Sequence, residues 1–94
     1  MAPLSDDTRL ARAPELLSTE FRQETVLMSL EAGRYYGLEG TARRIWELLA
    51  EPLSLGDLRA RLQREFDAPP ERLAADLRSF VEELVREGLV VAGP

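Results

Sequence analysis

Few residues in this chain could do chemistry. It contains no Cys and no His. Their absence rules out disulfides, thiolate nucleophiles and thiolate metal sites. It also removes the commonest general base near neutral pH and the commonest metal ligand. Carboxylates, Tyr and Ser remain, but acid–base work would need them gathered in a cleft, and a small chain has little room for one. The polar pairs Tyr35-Tyr36 and Arg43-Arg44 both lie in Gly33 to Leu49, GRYYGLEGTARRIWELL. Arg43-Arg44 sits near a helix start, where a phosphate could bind, but solvated arginines are the commoner outcome. Gly37-Leu38-Glu39-Gly40 lacks the Gly-x-x-x-x-Gly-Lys pattern of a phosphate loop. What remains is main-chain chemistry. The stretch reads as a short aromatic strand turning straight into an amphipathic helix. Such an open sheet edge beside a helical body can receive an extended peptide. Backbone hydrogen bonds would give affinity, and pockets for alternate side chains would give specificity. Nothing points to a catalytic residue, a metal site or a cofactor, so the chain reads as a non-enzyme.

Composition narrows the class. At 94 residues the chain is expected to form one domain spanning residues 1–94. A chain this short buries only about 60% of its unfolded surface, so its core is modest. Apolar residues make up 45% and charged residues 31% of the chain, which is ordinary for a folded domain. No apolar run approaches the roughly 20 residues needed to span a bilayer. The start, MAPLSDDTRL, lacks a basic end followed by an apolar core. The expectation is a cytoplasmic protein with no membrane partner. The net charge is −5, and all twelve basic residues are Arg, scattered among more numerous acids. A nucleic-acid binder normally shows a basic face, because phosphate neutralisation supplies most of its affinity.

The N-terminal half reads as strands. Residues 1–8 have little to bury and are expected to form a flexible tail. Arg9 to Ala13 reads as a short extended arm ended by Pro14, and Glu15 to Phe21 as a first strand. Arg22-Gln23-Glu24 is a polar turn. Thr25 to Leu30 shows the clearest strand alternation, with Val26, Met28 and Leu30 on one side and Leu27 and Ser29 on the other. Glu31-Ala32-Gly33 is a hairpin loop of the kind that carries a left-handed Gly. Arg34 to Leu38 returns as a third strand. Tyr35 and Tyr36 then face opposite sides, one toward the core and one toward solvent, and the pattern leaves open which. The last strand of this meander is a free edge unless something covers it.

The C-terminal half reads as three helices. Thr41 is the expected N-cap of the first, whose core stripe is Ala42, Ile45, Trp46 and Leu49. It is expected to end near Glu51-Pro52. Ser54 and Asp57 form an Asp-type capping box for the second, with Leu53 and Leu58 as a hydrophobic staple. Leu55, Leu58, Leu62 and Phe66 are its apolar face. Pro70 suits the first position of the third helix. Leu73, Leu77, Phe80, Val81 and Leu84 form its stripe, and Gly88 is its C-cap, with Leu89 folding back on Leu84. Leu89-Val90-Val91 is a terminal extended piece. The predicted fold class is α+β and winged helix-turn-helix-like: an N-terminal three-stranded antiparallel sheet followed by three helices. The second and third helices would be the helix-turn-helix pair.

Three blocks carry a resemblance: Val26-Leu27-Met28-Ser29-Leu30, Gly33-Arg34-Tyr35-Tyr36-Gly37-Leu38 and Gly40 to Leu49. Leu58, the Phe66 region, Leu73 to Leu77, Phe80-Val81, Leu84 and Gly88-Leu89-Val90 also fit. In this order they resemble the PqqD-like peptide chaperones, also called precursor-peptide recognition elements. These serve ribosomally made, modified peptides, including pyrroloquinoline quinone precursors and lasso peptides. The likeness covers about residues 14 to 91. Glu39 departs from it, because the family often has Asn there. The resemblance implies a protein that does no chemistry. It would bind the leader segment of a precursor peptide, which adds a strand to the free edge, in a groove between the third strand and the third helix. A processing enzyme, either a leader protease or a radical maturase, would then act on the held peptide. A free-standing protein of this length looks most like the leader-binding half of a split lasso-peptide protease system, with a quinone-cofactor peptide chaperone as the alternative.

The candidate peptide-binding residues are Leu27, Arg34, Tyr35, Tyr36, Gly37, Leu38, Asp76, Leu77, Phe80 and Leu84. The strand Arg34 to Leu38 would supply main-chain bonds, and the others would line pockets. The Asp76–Phe80 edge of the third helix is preferred to the Ala74–Val85 edge because it joins an acid to a large ring. The bland readings are a core role for Trp46 and the Phe80 stripe and solvated faces for Asp76, Glu82 and Glu83. A winged-helix DNA binder is the competing class. It predicts a basic third helix, yet Glu71 to Glu87 holds five acids (Glu71, Asp76, Glu82, Glu83, Glu87) against Arg72, Arg78 and Arg86.

Overall fold

Alternation builds the first sheet. A computed structural model describes residues 3–93. In it β2 (Leu16–Phe21), β3 (Glu24–Ser29) and β4 (Arg34–Leu38) form an antiparallel meander in that order. The short arm before them is β1 (Arg9–Arg12). Thr25, Leu27 and Ser29 of β3 are buried and its alternate residues are not, so this set faces the core. Two of the three are polar, and both hydroxyls are bonded. Thr25 donates to the Glu20 carboxylate at 2.9 and 3.0 Å, and Ser29 Oγ accepts from the Ala32 N–H at 3.1 Å. The more apolar set, Val26, Met28 and Leu30, faces outward. Gly33 closes the β3–β4 loop at φ 67°, the left-handed region that suits Gly.

Three helices follow: α1 (Gly40–Leu48), α2 (Leu55–Glu65) and α3 (Pro70–Arg86). Most expected stripe positions are buried: Ile45 and Trp46, then Leu55, Leu58 and Leu62, then Leu73, Leu77, Val81 and Leu84, while Ala42, Phe66 and Phe80 are half-buried. With Leu10, Leu27, Leu38, Leu89 and Val90 they form one core. The α1 start differs from expectation. Its N-cap is Glu39, not Thr41, and Glu39 makes no side-chain cap bond, because the chain turns at Gly40 (φ 58°) one residue sooner. At α2, Ser54 Oγ accepts from the Asp57 N–H at 3.1 Å, as the capping box requires. At α3, Gly88 N–H donates to Val85 O (3.1 Å) and Leu89 N–H to Leu84 O (2.9 Å), a Schellman motif with Gly88 at φ 77°.

A second sheet, β5 (Leu53–Ser54), β1 and β6 (Val90–Gly93), joins both ends of the chain to the helices. β1 is its middle strand. It pairs with β6 from Arg9↔Gly93 to Arg12↔Val90 and with β5 at Arg9↔Ser54 and Leu10↔Leu53. Arg12 lies over the Trp46 ring, 4.5 Å from its centre, and its guanidinium donates to the Trp46 carbonyl. Trp46 is therefore core. Arg44 forms a two-pronged pair with Glu65, and Arg43 pairs with Glu20. These two arginines brace α1 against α2 and β2.

The flexible tail expected over residues 1–8 is corrected from Leu4 onward; Met1 and Ala2 lie outside the described residues. Leu4 is only 5% exposed and joins the core. The first turn of α2 has N–H groups with no partner inside the helix, and this arm satisfies them. Leu55 N–H donates to Thr8 O (2.9 Å) and Gly56 N–H to Asp6 O (3.0 Å). The Asp6 carboxylate takes both prongs of Arg59 at 2.7 and 2.8 Å, and Arg78 donates to Leu4 O at 2.6 Å.

Two outcomes follow from this docking. Leu4→Ala should cost about 2–4 kcal/mol in urea denaturation, whereas a free tail would cost nothing. The second concerns acid. Hydrogen bonds from Arg59 hold the Asp6 carboxyl below its usual 3.8, and those from Arg44 hold Glu65 below 4.5. A depressed carboxylate contributes stability that is fully present above its ordinary value and lost as pH falls through the lower folded value. Melting temperature should therefore drop below about pH 4, and the drop should be shallower in an Asp6→Asn, Glu65→Gln double variant.

Candidate functional site

β4 pairs with β3 from Thr25↔Leu38 to Ser29↔Arg34, and no strand among the described residues pairs with its other edge. In an antiparallel ladder each residue turns its N–H and C=O toward one neighbour, so alternate residues of β4 leave both groups unpaired. An exposed edge like this is a template for another strand. β4 is five residues long and presents about 16 Å of it.

α3 faces that edge. The phenol of Tyr36 donates to Glu87 Oε2 at 3.0 Å, and Arg34 Nη1 lies 3.5 Å from the same oxygen. Glu87 is the C-cap of α3, so the start of β4 meets the end of α3. The end of β4 leads into α1, which with the end of α2 and with α3 walls a cavity of about 510 Å³. Its walls are apolar: Ile45 of α1, Leu62 and Phe66 at the end of α2, and Leu73, Leu77 and Phe80 of α3. Arg72 and Asp76 also line it, and they pair weakly across one helical turn at 3.8 Å. The groove between β4 and α3 thus has a polar, bridged end and an open, apolar end.

The ten sequence candidates sort by face. Tyr36 and Leu38 lie on the core side of the sheet, opposite Leu27 and Thr25. Tyr35 lies on the outer side, opposite Met28 and 71% exposed, and Gly37 sits beside it opposite Val26. Tyr35 and Leu27 therefore cannot line one pocket. Leu27 (0% exposed) and Leu84 are core side chains and present no wall to a ligand. Asp76, Leu77 and Phe80 do come together, on the cavity wall. Ala74 and Val85 are not among the lining residues, so the cavity opens on the Asp76–Phe80 edge. Sequence reasoning missed Ile45 and Phe66 as walls, because their stripes signalled core. It also missed Glu87, whose partners lie about fifty residues away in sequence.

Chemically, the arrangement can hold an extended chain. No group of three or more carboxylates among the described residues could hold a metal ion. Among the same residues no helix is long and apolar enough to cross a membrane. Strands and helices in this order, with one sheet edge open beside the last helix, define a winged helix-turn-helix-like α+β domain.

The particular family follows from comparison. The family model described as Coenzyme PQQ synthesis protein D (PqqD) matches residues 24–90, and the chain belongs to that family. The PqqA binding protein of Rhizobium meliloti (strain 1021) is 35% identical over 80 residues, 85% of this chain and 80% of that protein. The structure of TbiB1 in complex with the TbiA(beta) leader peptide superposes with a TM-score of 0.78 at 28% identity, over 85% of this chain and 93% of TbiB1. Lasso peptide synthetase B1, solved with its leader peptide, shares the fold at a TM-score of 0.73 and 23% identity, over 87% of this chain and 96% of that one.

Proposed function

We propose that this PqqD-family protein binds the leader segment of a ribosomally made precursor peptide. The leader adds as a strand to β4, beside α3, and is presented to a processing enzyme such as a lasso-peptide leader protease. The protein itself does no chemistry. The observation that carries this reading is the uncovered β4 edge, joined to α3 at Tyr36 and Glu87 and leading at its other end into the α1 wall of an apolar cavity. Main-chain bonds along β4 hold the leader, and one apolar leader side chain enters the cavity against Phe80, Leu77 and Ile45. Two related proteins whose structures contain leader peptides support the reading. The PqqA-binding relative favours a second pathway on the same site, a peptide chaperone of pyrroloquinoline quinone biosynthesis. A DNA-binding role is disfavoured by the acids of α3, which would meet phosphate with like charge.

Fluorescently labelled leader peptides, lasso-type and quinone-precursor-type, titrated against the purified protein with a DNA duplex as control, test this directly. One leader should saturate in the micromolar to nanomolar range, roughly −8 to −12 kcal/mol, and DNA should not bind. Salt-sensitive DNA binding without leader binding would overturn the reading. Phe80→Ala should weaken the leader at least about tenfold, the loss of one good apolar contact of ~1.4 kcal/mol, with the circular-dichroism spectrum unchanged. Equal affinity in the folded variant would remove the cavity from the site.

A further inference from the structure

The bridged end of the groove holds a carboxylate that helix physics does not explain. Glu87 caps the C-terminus of α3, where the helix dipole favours cations and disfavours an acid. Arg86, beside it, has the sign that position favours. Glu87 is instead held from across the groove, and by one oxygen only. Tyr36 donates to Oε2 at 3.0 Å, a good bond, while Arg34 reaches the same Oε2 at 3.5 Å through a single nitrogen. Oε1 accepts from no group among the described residues. The Glu87 side chain is 33% exposed and that of Arg34 is 67% exposed, so the carboxylate is open to solvent and its arginine is loosely held. An arginine that bound the carboxylate firmly would use two prongs, as Arg44 and Arg59 do elsewhere in this chain.

We propose that Glu87 is a second subsite of the groove, one that takes a cationic side chain, Lys or Arg, of the bound peptide. This deepens the strand-addition reading and rests on it. Tyr36 is the positioning residue that aims the carboxylate. Arg34 is the internal stand-in that the ligand's cation displaces or joins. The spacing follows from the helix. Phe80 and Glu87 are seven residues apart on α3, about 10 Å along its axis. That is about three residues of extended chain, and alternate residues share a face. The cation therefore falls about two or four residues from the apolar anchor. In an antiparallel addition the peptide runs from the cavity toward Glu87, which places the cation C-terminal to the anchor. Main-chain bonds alone cannot fix a strand's register; an apolar subsite at one end and an acidic one at the other can.

The test is a lysine walk. The leader that binds in the titration is made with its basic residues replaced by Gln, and Lys is then restored at each successive position. Each peptide is titrated against the wild type and Glu87→Gln. At one position, two or four residues from the anchor, Lys should tighten binding to the wild type about three- to tenfold, as for a partly exposed ion pair. The gain should vanish in Glu87→Gln and shrink with added salt. An equal gain in both proteins, or no gain at any position, overturns the subsite while leaving strand addition standing. A uniform loss across the walk in Glu87→Gln also overturns it, because Glu87 would then only space α3 from β4. Failure of every leader to bind the wild type overturns both readings together.

Discussion

The unpaired N–H groups at the start of α2 set much of this structure. A helix begins with donors that its own turns cannot satisfy, and burying them unpaired costs free energy. Here the Ser54 hydroxyl takes one, and the backbone carbonyls of Thr8 and Asp6 take two more. Residues ahead of β1 are thereby fixed against α2. β1 then lies between β5 and β6, bringing both ends of the chain together. Arg12, from the same strand, covers the ring of Trp46 and bonds its carbonyl, so α1 is held as well. The helical body is closed by its own small sheet. β4 adds Leu38 to the same core, and its outer edge is left free.

An exposed edge is normally a hazard, and proteins shorten, charge or cover such strands. β4 is short, but its far side is not covered. α3 is bonded to it at Glu87, and the apolar cavity lies toward its other end, where β4 leads into α1. One end of the edge is tethered by a hydrogen bond and an ion pair, and the other ends in apolar walls. Backbone groups at an edge attract any strand, so discrimination must come from side chains at the two ends.

Much of this was legible in the sequence. The start of α2 and the end of α3 follow from local chemistry: Ser54 with Asp57, then Gly88 with Val85 and Leu89 with Leu84. The β3–β4 hairpin was legible from alternation and Gly33. What failed depended on partners that periodicity does not reveal. Hydrophobicity alone would turn Val26, Met28 and Leu30 inward, yet Thr25, Leu27 and Ser29 are the buried set. That choice becomes favourable only because Glu20 and Ala32 satisfy the hydroxyls. The arm from Leu4 to Thr8 looked like a tail because its bonds go to Leu55, Gly56, Arg59 and Arg78, none of them near in sequence. Strand β4 and the placing of Asp76 and Phe80 on one edge of α3 were legible, and both residues line the cavity. The assignment of Leu27 and Leu84 to pocket walls was not sound, because an apolar stripe does not reveal which of its members reach the surface.

The facing of β3 also shapes the outside of the molecule. Turning Val26 and Met28 outward places Met28 between exposed Leu17 and Tyr35 and Val26 between Thr19 and Gly37, with exposed Phe21 on the same face near the β2–β3 turn. A strand added to β4 would extend this face, because its outward side chains fall in line with Tyr35. Its inward side chains would turn toward α3 and the cavity. The two sets of ligand residues therefore meet different surroundings. The inward set faces a groove with apolar walls and one carboxylate, and it is constrained by shape and charge. The outward set would meet Tyr35 alone of the β4 side chains that are large and exposed on that face. A peptide held in this way would be selected through every second residue and left accessible through the rest.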